Sequence, residues 1–247
     1  MQAEALALGR RVGAVGLDVA DVDTQVFNPD WGIDVTRVIS PIRYPEPEVV
    51  REALNLYQTS FRKPSYTVFV LDYSFSMAGE GQAGLAAAMR TLLDQEEARR
   101  SLLQASPDDV NVVIPFDGAA RSAFTATGND PAALSGLLDQ IEQTELGSGT
   151  NIYDPVAEAF RVFDADTYEG SFPAVILMTD GEANVSSFEA LQQQLAEIGI
   201  TDVPVYGILF GAASEQQVTE ISDLTGGRVF DGTENLVDAF RTAKGYN

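Results

Sequence analysis

The chain contains no cysteine and no histidine among its 247 residues. Without cysteine it can form no disulfide, thiolate nucleophile, zinc–thiolate centre or iron–sulfur cluster. Without histidine it has neither a Ser-His-Asp or Cys-His catalytic arrangement nor the usual histidine ligands of zinc and iron. Most common routes to side-chain catalysis are therefore excluded, and we expect a protein that is not an enzyme.

Basic residues are also scarce, since 15 Lys and Arg stand against 37 Asp and Glu and give a net charge of −22. Nucleic acids and anionic membrane surfaces need clustered positive charge, so neither is an expected partner. The longest apolar runs, such as Ala174–Met178, are only as long as a strand. None approaches the roughly 20 residues of a membrane helix, so no direct membrane insertion is predicted. The acidity suits a solvated exterior and cation binding.

Strand signals alternate with helix signals along most of the chain, which predicts an α/β fold with a doubly wound, mostly parallel central sheet and helices on both faces. Predicted strands are Tyr66–Asp72, Val110–Phe116, an antiparallel Ala119–Thr125, Ala174–Thr179, Val203–Phe210 and Gly227–Phe230. Predicted helices are Gly84–Gln104, Pro131–Ile141, Ile152–Phe163, Ser187–Ile198, Glu215–Leu224 and Glu234–Lys244.

Residues 1–63 differ from residues 64–247 and are interpreted as a small N-terminal extension in front of the α/β domain. The extension is rich in proline, has a weak strand signal at Gly32–Ile39, and is predicted to end in an amphipathic helix over 48–62. The apolar positions of that helix are predicted to form a packing face; they are Val49, Ala53, Leu56, Tyr57 and Phe61.

Five oxygen-bearing residues follow apolar runs or glycine-rich turns: Asp72, Ser74, Ser76, Thr150 and Asp180. In a doubly wound sheet, the loops at the carboxyl ends of the strands meet at one edge. Hydroxyls and carboxylates are hard ligands that suit Mg²⁺, Mn²⁺ or Ca²⁺. Neutral hydroxyls leave such a metal short of electrons, so it favours one more anionic oxygen. We therefore expect a partner protein that supplies an Asp or Glu carboxylate.

The pattern Asp72-x-Ser74-x-Ser76, with Thr150 and Asp180 in order on this strand–helix background, resembles the metal-ion-dependent adhesion site of the von Willebrand factor type A family. The resemblance covers roughly residues 64–245. It implies a Rossmann-like fold, direct metal binding by the three hydroxyls, and metal binding by the two aspartates directly or through water. It also implies a binding module whose C-terminal helix shifts when the metal changes its coordination.

Phe75 stands where most members of that family have glycine, although integrin β-subunit domains carry an aromatic residue there. We predict a partner-binding rim formed by Phe75 and Glu182. Glu80 is a candidate for the acidic residue that supports an adjacent metal in those integrin domains. For Asp117, Asp154 and Glu182, a turn or helix-cap role is favoured over metal contact.

The segment Gln2–Gly13 loosely resembles the last helix and turn of a bacterial solute-binding domain, which some surface proteins fuse to a type A domain. Met1–Leu6 lacks the features of a signal peptide, so we expect either a cytoplasmic protein or a piece of a longer exported one. The exported reading predicts an extracellular or cell-surface module. The alternative is an intracellular assembly factor that works with an AAA+ ATPase. A phosphohydrolase using Asp72 is disfavoured, because Ser74 occupies the position where such enzymes need a second acid.

Overall fold

The computed structural model describes residues 29–31, 44–163, 168, 170–180, 183–210, 215–232 and 236–243. The chain divides into two compact units, Met1–Val50 and Arg51–Asn247. In the first unit, Pro29–Trp31 forms a short 3-10 turn. The predicted strand Gly32–Ile39 and the segment Gln2–Gly13 lie outside the described residues.

The second unit is built on a six-stranded sheet with the order β3-β2-β1-β4-β5-β6. Every neighbouring pair of strands is parallel except β2 and β3, which are antiparallel. This confirms the predicted doubly wound, mostly parallel sheet. The strands are β1 Ser65–Asp72, β2 Val110–Phe116, β3 Phe124–Thr127, β4 Phe172–Thr179, β5 Val205–Leu209 and β6 Val229–Asp231.

Helices cover both faces of the sheet, and each face has its own apolar core. The described helices are α1 Pro47–Leu56, α2 Glu80–Leu93, α3 Gln95–Arg100, α4 Pro131–Gln143, α5 Tyr153–Val162, α6 Phe188–Ile198, α7 Glu215–Thr225 and α8 Leu236–Ala243. Alternate residues of β1 supply the two cores. Phe69 and Leu71 pack with α2, α3, α4 and α8 on one face, and Val68 and Val70 pack with α5, α6 and α7 on the other. A strand buried on both faces is therefore apolar at nearly every position.

The predicted helix Gly84–Gln104 is wrong as a single element, because the chain forms α2 and α3 with Asp94 between them. The Asp94 carboxylate accepts hydrogen bonds from the backbone N–H groups of Glu96 and Glu97, at 2.9 and 3.2 Å. Asp94 is thus the N-cap of α3, and its extended backbone ends α2. Helix-forming composition continued through this point, but a capping side chain started a new helix instead.

The third strand is antiparallel as predicted, but it begins at Phe124 rather than Ala119. Between Phe116 and Arg121 the chain forms a tight loop. In it, Asp117 N–H donates a hydrogen bond to Ala119 O, and Arg121 N–H donates one to Pro115 O. Ala120 makes one isolated bridge to Phe116 before the loop leaves the sheet. Because these backbone groups bond within the loop, they are not available to pair β3 with β2, and that pairing begins only at Phe124.

The helical region Glu48–Arg62 is observed as α1 followed by a π-helical turn, Tyr57–Phe61. Its apolar positions are exposed, with Val49 57% and Phe61 71% exposed, so no element among the described residues buries the predicted packing face. Helical spacing decides which side chains share a face, but it does not decide whether another element covers that face. No helix in the described ranges is both long and apolar enough to cross a membrane.

A buried ion pair holds the chain where it enters β1. The Arg62 guanidinium contacts both carboxylate oxygens of Asp109, one of them at 2.8 Å, and the Asp109 side chain is fully buried. The same carboxylate accepts hydrogen bonds from Ser65 N–H at 2.8 Å and from Ser106 N–H and hydroxyl at 3.1 and 2.8 Å. One aspartate just before β2 therefore fixes the start of β1 and the turn that precedes β2.

We expect Asp109→Ala to lower the free energy of unfolding by about 3–5 kcal/mol, because it leaves the buried Arg62 charge without its carboxylate. The matched control is Arg90→Ala, which breaks the exposed Arg90–Glu142 pair. That change should cost less than about 1 kcal/mol. Urea denaturation followed by circular dichroism measures both. Equal costs for the two variants would show that the buried pair does not anchor β1.

Candidate metal centre

The predicted ligands lie at the point where the sheet changes its winding direction. Strands β1 and β4 are neighbours at the centre of the sheet, and the strand order runs outward from them to β2 on one side and β5 on the other. The carboxyl ends of two such strands border a crevice that commonly holds ligands. Asp72 is the last residue of β1, and Asp180 follows the last residue of β4.

A continuous series of hydrogen bonds joins four of the five predicted ligands. Ser74 N–H donates to Asp72 Oδ1 at 2.7 Å, and the Ser74 and Ser76 hydroxyl oxygens are 2.9 Å apart. The Ser76 hydroxyl donates to Asp180 Oδ1 at 2.9 Å. Residues 104 positions apart in the chain are thereby in direct contact.

Asp72 lies in an unusual environment for a carboxylate, because it is only 1% exposed. Its second oxygen, Oδ2, accepts a hydrogen bond from the Thr179 hydroxyl at 2.5 Å. Burial raises the pKa of Asp72, hydrogen bonds from Thr179 and Ser74 act against that rise, and the nearby charge of Asp180 adds to it. A nearby cation would stabilise the ionised form of this carboxylate.

The loop after β1 continues into a short 3-10 turn, Phe75–Met77, in which Ser76 is exposed, whereas Ser74 just before the turn is buried. Met77 is fully buried and anchors the turn, whereas Phe75, between the two serines, is 64% exposed. Gly81 then brings the start of α2 against the site, since a Cβ at that position would lie 3.4 Å from Asp180 Oδ2. Phe75 is therefore an exposed aromatic ring at the edge of the oxygen cluster.

Thr150 reaches the same edge through the backbone of its loop rather than through a hydrogen bond to the other four residues. Gly147 N–H donates to Tyr73 O at 2.7 Å, and Gly147 pairs with Ser74 in an isolated parallel bridge. Gly149 adopts a φ of +83°, which glycine tolerates at no steric cost and which lets the loop turn. Thr150 itself is buried.

The other acidic residues singled out from the sequence have different outcomes. Asp117 accepts hydrogen bonds from Ala119 N–H and Arg121, which is the predicted turn role. Asp154 accepts hydrogen bonds from the side chains of Asn151, Ser186 and Gln194. Glu80 is exposed at the start of α2, and its predicted role stays a prediction. Glu182, the second predicted rim residue, lies outside the described residues.

Sequence reasoning missed two residues that contact the predicted ligands. Thr179 is fully buried, and its hydroxyl donates a hydrogen bond to Asp72. The two residues are neighbours because β1 and β4 pair Leu71 with Met178, and Asp72 and Thr179 come next on their strands. Asn184 contacts the backbone of Thr150 from the other loop. The hydroxyl at the end of an apolar strand was a visible signal for Thr179, but the strand register was not.

The five predicted ligands at this edge offer two carboxylates and three hydroxyls, which are hard oxygen groups of the kind that bind hard cations. Within the described ranges, no group of three or more His, Cys, Asp or Glu residues is arranged to hold a metal. A site rich in hydroxyls contains too few such residues to form that kind of cluster. The residues present therefore fit a hard divalent cation such as Mg²⁺, Mn²⁺ or Ca²⁺.

Comparisons with known proteins agree with this architecture. The sequence model of the von Willebrand factor type A domain matches residues 67–182, a range that includes all five predicted ligands. A comparison with curated protein sequences gave no significant match.

Solved structures share the fold. A von Willebrand factor type A protein from Catenulispora acidiphila aligns with a TM-score of 0.57 and 19% identity over 74% of this chain and 43% of its own. A conserved hypothetical protein, BatB from Bacteroides thetaiotaomicron, gives 0.53 and 20% identity over 72% and 96%. The pilus adhesin SpaC from Lactobacillus rhamnosus GG gives 0.54 and 14% identity over 76% and 31%.

At these identities the structural similarities establish the fold alone. The chain spans less than half the length of the Catenulispora and Lactobacillus chains. The fold agrees with the sequence match over residues 67–182. Residues 67–182 thus match the von Willebrand factor type A domain model, and they do so on a fold shared with a solved type A structure.

Proposed function

We propose that the domain is a non-catalytic protein-binding module that depends on a divalent cation, Mg²⁺ or else Mn²⁺ or Ca²⁺. Asp72, Ser74, Ser76, Thr150 and Asp180 hold the cation, and a partner protein binds it through an Asp or Glu carboxylate. The observation that carries this proposal is the hydrogen-bonded series from buried Asp72 to Asp180 at the centre of the sheet edge.

The charge of the site supports a cation that remains attractive to a carboxylate. The groups that hydrogen-bond Asp72 are neutral, namely the Thr179 hydroxyl and the Ser74 backbone N–H. The other proposed ligands add only one further negative charge, from Asp180. A bound divalent ion supplies a local positive centre with a coordination position for an external oxygen. The bound ion would thus give this acidic protein one position that attracts an acidic side chain.

The exposed Phe75 ring supports a docking surface around that centre. Phe75 lies between two proposed ligands, Ser74 and Ser76, and the turn that it begins ends at the fully buried Met77. An exposed aromatic ring offers a large apolar contact area with few rotatable bonds, and aromatic residues are enriched in protein interfaces. In this proposal Phe75, together with Glu182, contacts the residues that flank the partner's carboxylate.

We place the module at the cell surface or outside the cell, as part of a longer exported protein, with the cytoplasm as the alternative. The competing function, an assembly factor for an AAA+ ATPase, would use the same metal site. Partner capture separates the two functions, because capture by an assembly factor should depend on ATP and capture by an adhesion module should not.

We expect Asp72→Asn to lower Mg²⁺ affinity by at least about 100-fold, since loss of even an outer partner of a metal site costs roughly 10- to 100-fold. The amide keeps the side chain's shape and one acceptor oxygen, so the metal-free protein should stay folded. Isothermal titration calorimetry measures affinity, and the rise in melting temperature with added Mg²⁺ gives a second measurement.

The control for that variant is Asp108→Asn, which changes an exposed aspartate near the amino-terminal edge of the sheet. Its Mg²⁺ affinity should equal that of the unmodified protein. If Asp72→Asn binds Mg²⁺ as tightly as Asp108→Asn does, the proposed site is wrong.

We expect Phe75→Ala to weaken partner capture by about 1–3 kcal/mol while changing Mg²⁺ affinity less than about twofold, because the ring contacts the partner and not the ion. The measurement is the quantity of protein captured from a lysate of the native source in Mg²⁺, after subtraction of capture in chelator. Phe61→Ala, which removes another exposed ring just before β1, is the matched control. Equal capture by the two variants would remove Phe75 from the interface.

A further inference from the structure

Asn184, four residues after Asp180, makes two hydrogen bonds to the backbone of Thr150. Thr150 N–H donates to the side-chain oxygen Oδ1 of Asn184 at 3.1 Å, and Asn184 N–H donates to Thr150 O at 2.9 Å. One residue thereby satisfies both backbone groups of Thr150. Two such bonds restrict both peptide planes beside Thr150, and so they restrict the direction of its side chain.

The opposite side of the same loop is held by backbone contacts from the end of β2. Gly118 N–H donates to Ser148 O at 3.1 Å, and Asn151 N–H donates to Asp117 O at 2.8 Å. A Cβ at Gly118 would lie only 3.0 Å from Ser148 O, so the two loops touch backbone to backbone. Thr150 belongs to neither a helix nor a strand, and its position depends on these two flanking loops.

Asn184 can hold Thr150 because its own segment is anchored at both ends. Ala183 N–H donates to the Gln217 side chain at 2.8 Å, and Gln217 donates back to Ala183 O at 3.4 Å. The Ser186 hydroxyl donates to Asp154 Oδ1 at 3.1 Å. Helices α7 and α5 thus fix the residues on either side of Asn184.

We propose that Asn184 is a positioning residue for Thr150, which sets the direction of the Thr150 hydroxyl and, through it, the affinity for the cation. The inference rests on the proposed function, in which Thr150 binds the metal. Asn184 is itself exposed, so packing does not account for its place in the structure. The side-chain oxygen of Asn184 accepts the hydrogen bond from Thr150 N–H, so a substitution without an acceptor at this position loses that bond.

The test uses three variants of the full chain. Asn184→Ala removes the acceptor, Asn184→Asp keeps an acceptor oxygen, and Val185→Ala alters the neighbouring exposed side chain as a control. Exchange of the Thr150 amide proton is measured by nuclear magnetic resonance in chelator, and Mg²⁺ affinity is measured by calorimetry. Loss of a hydrogen bond of ordinary strength predicts about fivefold faster exchange and about fivefold weaker Mg²⁺ binding in Asn184→Ala. Asn184→Asp should restore slow exchange, and Val185→Ala should change neither quantity.

Thr150→Ala separates failure of this inference from failure of the proposed function. If Thr150→Ala binds Mg²⁺ normally, Thr150 is not a ligand, and both the proposed ligand set and the positioning role are overturned. If Thr150→Ala loses affinity while Asn184→Ala keeps it, the metal site stands and the positioning role of Asn184 is overturned. Faster exchange in Asn184→Ala without weaker Mg²⁺ binding also overturns that role.

Discussion

The buried carboxylate of Asp72 is the constraint on which the arrangement of the site depends. One of its oxygens accepts a hydrogen bond from Ser74 N–H in the loop after β1, and the other accepts one from the hydroxyl of Thr179, the last residue of β4. These bonds fix where the chain leaves β1 and where it leaves β4, so that the Ser76 hydroxyl can donate a hydrogen bond to the Asp180 carboxylate. Burying a carboxylate is costly unless it is bonded and its charge is compensated. The fold meets the first condition with neutral groups, and in the proposed function a bound cation meets the second.

Apolar anchors give the site its rigidity. In the loop after β1, Tyr73 and Met77 are buried on either side of the polar residues. The Tyr73 hydroxyl donates to Ile141 O at 2.7 Å, which ties the loop to α4. Ser74 and Ser76 therefore lie on a short span whose two ends are both held in the core. A loop fixed in this way keeps its hydroxyls in place without a bound ion, and it pays the ordering entropy during folding instead of during binding.

Most elements with local signals were predicted from the sequence, whereas contacts set by residues far apart in the chain were not. Strand β2 was predicted with its observed bounds, because a buried parallel strand is a continuous apolar run. The five predicted ligands were chosen from their spacing and from the ends of such runs, and four of them are joined by hydrogen bonds. The role of Thr179 was missed, since it depends on the register between β1 and β4, and that of Asn184 was missed because a loop contact carries no periodic signal. The break at Asp94 reflects a local competition, in which a capping carboxylate outweighed helix-forming neighbours.

Two buried aspartates of this chain differ in how their negative charge is balanced. Asp109, at the amino-terminal edge of the sheet, is fully buried and is paired with the buried guanidinium of Arg62. Asp72, at the opposite edge, is buried almost as completely, but its hydrogen-bond donors are uncharged, and the negative charge of Asp180 acts to raise its pKa. The same chain thus supplies a permanent cation where the carboxylate only holds strands together. Among the described residues, the groups that hydrogen-bond Asp72 carry no charge, and in the proposed function a bound metal ion supplies the positive charge that Arg62 supplies to Asp109.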